Sequence, residues 1–143
     1  MSLSVISELN DSVAFIAAQM PYKPRIAVIL GSGLGNFIDE MIIDVSIPYI
    51  SIPHFPVSTV EGHSGKLIFG KLGNKEVMVM AGRFHYYEGY TPQQVAYPVR
   101  VMWMLGVETL LVSNAAGGVQ PGFKVGDLMI IKDHISFFQR SEE

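Results

Sequence analysis

The feature that most constrains this chain is an apolar strand that runs directly into a glycine-rich loop. Residues Arg25-Ile-Ala-Val-Ile-Leu30 form a continuous, largely β-branched run, typical of a strand buried on both faces. Gly31-Ser32-Gly33-Leu34-Gly35 follows without a spacer. Closely spaced glycines let backbone N–H groups approach an oxyanion, and the Ser32 hydroxyl adds a donor. Glycine loops also simply turn corners, so this feature alone leaves an anion site and a structural turn equally open.

Three familiar glycine-loop motifs do not fit this segment. A dinucleotide fingerprint requires glycine where Asn36 stands. A phosphate-binding P-loop requires a Gly-Lys-Ser/Thr ending, which the sequence lacks here. The nucleophile elbow of hydrolases requires glycines two residues either side of the serine, and Leu30 and Leu34 occupy those positions.

The remaining pattern alternates helices and strands, which predicts an α/β fold with a parallel or mixed sheet in one domain spanning residues 1–143. Apolar steps of three and four predict a first helix, and Thr91-Pro92-Gln93-Gln94 carries the capping signals of a second that stops near Gly106. The predicted elements are a helix over 4–20, strands over 25–30, 66–71, 76–80, 109–113 and 127–132, with a hairpin turn at 72–75 and a second helix from 91.

The second predicted helix has an apolar face, and Pro98 inside it is expected to produce a kink. Its buried face is predicted to carry Val95, Val99 and Met102. Methionines and the tryptophan are assigned to the core as gap-filling side chains; they are Met78, Met80, Met102, Trp103 and Met104.

Two further segments can carry chemistry. Arg83, His85 and Tyr87 alternate, so in an extended segment they line one wall with a guanidinium fork, an imidazole and a phenol. Each of them singly is more often structural, but the set favours a functional site. Asn114-Ala-Ala-Gly-Gly118 follows another predicted buried strand, and ligands gather at the carboxyl ends of strands in α/β sheets. Two loops and one cationic segment together predict a convergent anion site.

The composition argues against several other classes of protein. The chain has 143 residues, a net charge of −3 and no cluster of lysines and arginines, which argues against nucleic acid as a partner. Its apolar stretches are all shorter than the ~18 residues of a membrane span. The first residues lack a basic segment, so we expect no secretory signal and no membrane partner. The absence of cysteine agrees with a reducing cytoplasm, which is the expected location.

The four histidines show no metal-ligand spacing, so we expect no metal. His54 and His134 are interpreted as structural. His63 lies in Thr59-Val-Glu-Gly-His-Ser-Gly65, and a lone loop histidine is more often a surface residue.

Four motifs in order resemble those of the trimeric purine nucleoside phosphorylases. They are Leu30-Gly-Ser-Gly-Leu-Gly35, His54-Phe-Pro-x-Ser-Thr-Val-x-Gly-His-x-Gly65, Gly82-Arg-Phe-His-x-Tyr-Glu-Gly89 and Asn114-Ala-Ala-Gly-Gly118. The resemblance covers residues 5–135. The related methylthioadenosine phosphorylases share the glycine loop, but the segments around His63 and Arg83 look like the nucleoside enzymes.

This resemblance implies a three-layer phosphorylase-like fold with a central mixed sheet, here incomplete. It also implies phosphorolysis of purine nucleosides in purine salvage, by a homo-oligomer, a trimer in the family. Phosphate is a substrate and no cofactor is implied. By similarity, the phosphate ligands are Ser32, His63, Arg83, His85 and the N–H of Ala115, with His85 and His63 as the catalytic residues. Tyr87 would contact the ribose, and Ala116 and Gly117 would lie near the base.

Family chains are about twice as long, and their second half supplies the groups that recognise the purine. The alternative expectation is therefore a non-catalytic module that binds phosphate and ribose. If half of a sheet-centred domain is absent, we expect exposed apolar surface, self-association and an unpaired strand edge near 127–132.

Overall fold

The computed structural model describes residues 3–31, 33–57, 65–135 and 137. Two α-helices and five strands are present in these residues, together with three short 3-10 helices. In chain order the helices and strands are α1 (Leu3–Ala17), β1 (Ile26–Ile29), β2 (Ile42–Pro48), β3 (Lys66–Leu72), β4 (Lys75–Ala81), α2 (Pro92–Met104) and β5 (Thr109–Val112). The 3-10 helices are Gly35–Glu40, Tyr49–Ser51 and Tyr86–Glu88.

The five strands form one mixed sheet in the order β2-β3-β4-β1-β5. β1 is parallel to both β4 and β5, whereas β2, β3 and β4 pair antiparallel. The prediction of an α/β fold with a mixed sheet is confirmed. Because β4, β1 and β5 run in the same direction, the loops that follow them leave the sheet at the same end, where these strands have their carboxyl ends.

Alternating strand residues build two cores, one on each face of the sheet. On β1 and β4, Ala27 and Met78 belong to the larger cluster, which α1 and α2 cover through residues such as Ile16 and Val101. Val28 and Val79 belong to the smaller cluster on the opposite face. In the described part of the chain, both α-helices contact the larger cluster, and the cover of the smaller one includes Phe37 and Ile38 of a short 3-10 helix.

The local signals for α2 and for the hairpin are confirmed. Thr91 caps α2 by accepting a hydrogen bond from the Gln94 backbone N–H, and the Gln94 side chain accepts one from the Thr91 N–H. Gly106 follows the helix with a φ of 99°, as a helix stop requires. β3 and β4 pair in register through the turn that contains Gly73.

Several expectations about burial and strand formation are wrong. Residues 127–132 form no strand and are exposed, and the edge strands of the described sheet are β2 and β5. β5 was expected to be buried, but β1 is its neighbour in the sheet and Leu111 and Val112 remain open to solvent. In α2, Tyr97, Val101 and Met102 take the core positions. Trp103 and Val99 therefore lie on the outer side of the helix, where 74% and 37% of their surfaces are exposed.

No helix among the described residues has the length and apolar character needed to cross a membrane.

Candidate functional site

The loops that follow β1, β4 and β5 are tied together by hydrogen bonds among Gly31, Arg83 and Ser113, which we call the strand-end junction. The Gly31 N–H donates to Ser113 Oγ at 2.9 Å. Arg83 Nη1 donates to the Ser113 carbonyl at 2.7 Å, so its side chain reaches from the end of β4 past β1 to the end of β5. The junction therefore brings a guanidinium group to the carboxyl ends of the three parallel strands.

Gly31 allows this close approach because it has no side chain. A Cβ at this position would lie 2.5 Å from the Ser113 carbonyl oxygen and 3.1 Å from Asn114 Cα, both rigid backbone atoms. The first glycine of the predicted loop is thus explained by packing between the ends of β1 and β5.

Arg83 also fixes the orientation of His85. Its Nε donates to His85 Nε2 at 2.9 Å. A guanidinium can only donate, so Nε2 accepts and the proton of the neutral imidazole resides on Nδ1. These contacts use one donor at Nε and one at Nη1. Neither of these two contacts uses Nη2.

The carboxylate of Glu88 completes this cluster on the other side of the imidazole. Its Oε1 lies 3.3 Å from His85 Nδ1, and its Oε2 accepts from the His85 backbone N–H at 3.1 Å. Nδ1 is buried, and among the described residues it forms no well-aligned hydrogen bond, so the contact is an approach within ion-pair distance. Glu88 was not among the site residues predicted from the sequence. Its spacing of three residues from His85 was the available signal.

Tyr87 contacts His85, but the two residues do not alternate along an extended segment as expected. The chain is extended at His85 and then turns into the 3-10 helix Tyr86–Glu88. The rings of His85 and Tyr87 stack with centroids 4.7 Å apart and planes inclined by 21°. The prediction that the three side chains share one extended wall is wrong for Tyr87, which the turn carries to the surface with 81% of it exposed.

The third predicted segment lies immediately beyond Ser113. Ala115, Ala116 and Gly117 are exposed and outside regular structure. The Asn114 side-chain amide donates to the Ala115 carbonyl at 3.3 Å. The predictions for Ser32 and His63 lie outside the described residues. In the part of the chain that is described, no three His, Asp or Glu side chains group in a way that could hold a metal ion.

Fold and junction together define the class of protein. It is an α/β protein with a guanidinium, an imidazole and two loop backbones gathered at the carboxyl ends of parallel strands, the place where such sheets bind ligands. The family model described as the phosphorylase superfamily matches residues 25–143. The chain belongs to this superfamily.

Curated relatives are named purine nucleoside phosphorylases. The chain is 56% identical over 128 residues to purine nucleoside phosphorylase 1 of Geobacillus stearothermophilus, covering 90% of this chain and 47% of that protein. It is 47% identical over 129 residues to the purine nucleoside phosphorylase of Bos taurus, covering 90% of this chain and 45% of the relative. The chain spans about half the length of the curated relatives it matches.

Solved structures agree with the sequence relatives. A Schistosoma mansoni purine nucleoside phosphorylase with a monocyclic inhibitor superimposes with a TM-score of 0.79 and 47% identity, covering 85% of this chain and 45% of the other. A purine nucleoside phosphorylase in complex with ribose-1-phosphate superimposes with a TM-score of 0.80 and 49% identity, with the same coverage. The described fold therefore corresponds to about half of a phosphorylase chain.

Proposed function

We propose that this protein serves purine nucleoside phosphorolysis, in which phosphate attacks the anomeric carbon of a purine (deoxy)ribonucleoside. The observation that carries the proposal is the strand-end junction, where Arg83 bridges to Ser113 and holds His85. Support comes from relatives named purine nucleoside phosphorylases and from the similar structure in complex with ribose-1-phosphate.

In the proposed reaction, a phosphate oxygen forms a bond to the anomeric carbon while the bond from that carbon to the purine nitrogen breaks. The electron pair leaves with the base, which takes up the proton that hydrogen phosphate loses, and the products are free purine and (deoxy)ribose 1-phosphate. Charge separates in an oxocarbenium-like transition state. An enzyme lowers this barrier by holding the phosphate dianion, stripped of water, against the sugar.

Within this proposal, the phosphate ligands are Ser32, Arg83, His85 and the Ala115 N–H, with His63 beside them. His85, which Arg83 and Glu88 orient, and His63 are the proposed catalytic residues. Tyr87 is proposed to contact the ribose, because its ring is exposed and stacked on His85. Ala116 and Gly117 are proposed to lie near the base. Phosphate is a substrate, and the proposal requires no cofactor or metal.

The second candidate is a module of the same fold that binds phosphate and ribose without turnover. The chain spans 47% of a relative that bears the enzyme's name, so phosphate binding and turnover are tested separately. A homo-oligomeric, trimeric assembly, a cytoplasmic location and a role in purine salvage are further parts of the proposal, as is the absence of nucleic-acid and membrane partners.

The test measures phosphate binding by calorimetry and inosine phosphorolysis by the release of hypoxanthine. Arg83→Ala should weaken phosphate binding about 10- to 150-fold, because a hydrogen bond to a charged group contributes about 1.5–3 kcal/mol. Arg25→Ala is the matched control, since Arg25 is an exposed arginine paired with Glu108 at the opposite end of β1.

Phosphate binding with turnover above background supports the enzyme, and binding without turnover supports the module. The proposal fails if the wild-type chain binds no phosphate, or if both arginine variants bind it as tightly as the wild type.

A further inference from the structure

Tyr49 connects the backbone on both sides of the β3–β4 hairpin. It follows β2 and is buried, with 3% of its surface exposed. Its backbone N–H donates to the Gly65 carbonyl at 3.0 Å, just before β3 begins. Its hydroxyl donates to the Gly82 carbonyl at 2.7 Å, just after β4 ends.

The position of the ring is fixed by close packing. A Cβ on Gly65 would lie 2.1 Å from Tyr49 Cε2 and 2.3 Å from Cδ2, so the ring occupies the space that any other residue at 65 would fill. Phe55 and Phe84 hold the ring from other sides, with centroids 5.2 Å and 5.5 Å away. The hydroxyl therefore approaches Gly82 from a defined point.

Gly82 directly precedes Arg83 and adopts a φ of 98°, a backbone conformation that residues other than glycine rarely adopt. This turn sets the direction in which the chain leaves β4, and with it the course of the Arg83 side chain to Ser113 and His85. The hydroxyl of Tyr49 is bonded to the carbonyl of this same turn.

We propose that Tyr49 is a positioning residue for the Arg83–His85 pair, holding the Gly82 turn so that the guanidinium spans the strand-end junction. It acts through Gly82 and need not touch substrate. Its consequence for phosphate rests on the proposed function, whereas its consequence for the geometry of Arg83 and His85 does not.

The test compares Tyr49→Phe with Tyr97→Phe. Each variant deletes one hydroxyl from a buried tyrosine and keeps the ring. Tyr97 is a matched control because it packs on Phe55 in the same aromatic cluster, but its hydroxyl pairs with Ser12 Oγ at 2.8 Å, away from the junction. Thermal unfolding of both variants measures the common cost of losing a buried hydrogen bond.

The ¹⁵N chemical shifts of the histidine rings report the hydrogen bonding of His85 without any ligand. The spectrum of a His85→Gln variant identifies which signals belong to His85. In the wild type, His85 Nε2 should have the chemical shift of an acceptor. Tyr49→Phe should increase the Nε2-protonated form, because Arg83 Nε is no longer held against that nitrogen, and Tyr97→Phe should match the wild type. Identical His85 signals in the wild type and Tyr49→Phe, or the same change in both variants, would overturn the proposal.

A phosphate titration tests whether Tyr49 also affects phosphate affinity. We expect Tyr49→Phe to weaken phosphate binding about 3- to 10-fold, the effect of one lost hydrogen bond, and Tyr97→Phe to bind as the wild type does. Equal phosphate affinity in both variants would refute the role in phosphate binding. If the wild type binds no phosphate, the proposed function fails, and the ring spectra still decide whether Tyr49 positions the pair.

Discussion

Gly31 and Gly35 belong to the same glycine-rich loop but differ in how closely other atoms approach them. Gly31 faces the Ser113 carbonyl, and this carbonyl also accepts the hydrogen bond from Arg83. Among the described residues, no atom within 4 Å would meet a Cβ on Gly35. The loop composition therefore reflects one position with a steric requirement and another without it.

Gly31→Ala should destabilise the fold by about 1–3 kcal/mol, because the new methyl group overlaps backbone that cannot move freely. It should also weaken phosphate binding, since Ser113 would be displaced from Arg83. Gly35→Ala is the control and should change the free energy of unfolding by less than about 0.5 kcal/mol. Urea unfolding measures both, and equal stability of the two variants would contradict the close approach.

Tyr49 also makes stability depend on pH in the alkaline range. Burial raises the pKa of Tyr49 above its ordinary value of 10.0. The hydroxyl ionises near pH 10 in the unfolded chain but stays protonated in the folded one. Its contribution is therefore complete below pH 10 and is lost as the pH rises above it, by up to about 1.4 kcal/mol per pH unit.

We therefore expect urea midpoints to fall more steeply between about pH 9 and about pH 11 in the wild type than in Tyr49→Phe. Burial also raises the pKa values of Tyr22 and Tyr97, so the variant retains part of the decline. Superimposable pH profiles of the two proteins would show that Tyr49 does not contribute to it.

At the scale of elements, α2 shows what local sequence decides and what it does not. The start at Thr91 and the stop at Gly106 were predictable because capping depends on neighbours within a turn. The exposure of Trp103 was not, because it depends on which helical face the sheet covers. In the same way, the β3–β4 hairpin followed from its turn, while the exposure of β5 depends on its place at the edge of the sheet.

Thr91→Ala should destabilise the protein by about 1 kcal/mol, because the Gln94 N–H loses its capping acceptor. Gln93→Ala is the control, an exposed position in the same turn where alanine suits a helix. Chemical denaturation followed by circular dichroism compares the two. A Thr91→Ala variant as stable as Gln93→Ala would contradict the capping assignment.

At the scale of the whole molecule, apolar side chains remain exposed beyond β5. Leu128 and Ile130 are 100% and 96% exposed, and they lie among other apolar residues of the segment 125–131. Contiguous apolar surface on a protein commonly marks a site of association. The expectation of exposed apolar surface is confirmed, although it lies on an irregular segment and not on a strand edge.

We expect this segment to drive self-association. Sedimentation velocity should show a larger species whose fraction grows with protein concentration. Leu128→Asp combined with Ile130→Asp should reduce that fraction, while Ile50→Asp, which is 77% exposed elsewhere, should not. A wild-type chain that stays monomeric at high concentration would contradict this prediction.

Only those features of the candidate site that depend on residue spacing and on loop placement could be predicted from the sequence. The neighbourhood of Arg83 and His85 followed from their separation by two residues, and the placement of loops at one sheet edge followed from the strand pattern. The contacts of Arg83 with Ser113 and of Tyr49 with Gly82 could not be foreseen, because they join residues 30 and 33 positions apart.

A phosphate titration followed by ¹H–¹⁵N NMR tests most directly whether the loops after β1, β4 and β5 form one anion site. The Gly31 and Ala115 amides and the Arg83 Nε–H should shift together and give the same dissociation constant. Signals that move with different constants, or that do not move while phosphate is added, would show that these groups do not share a ligand.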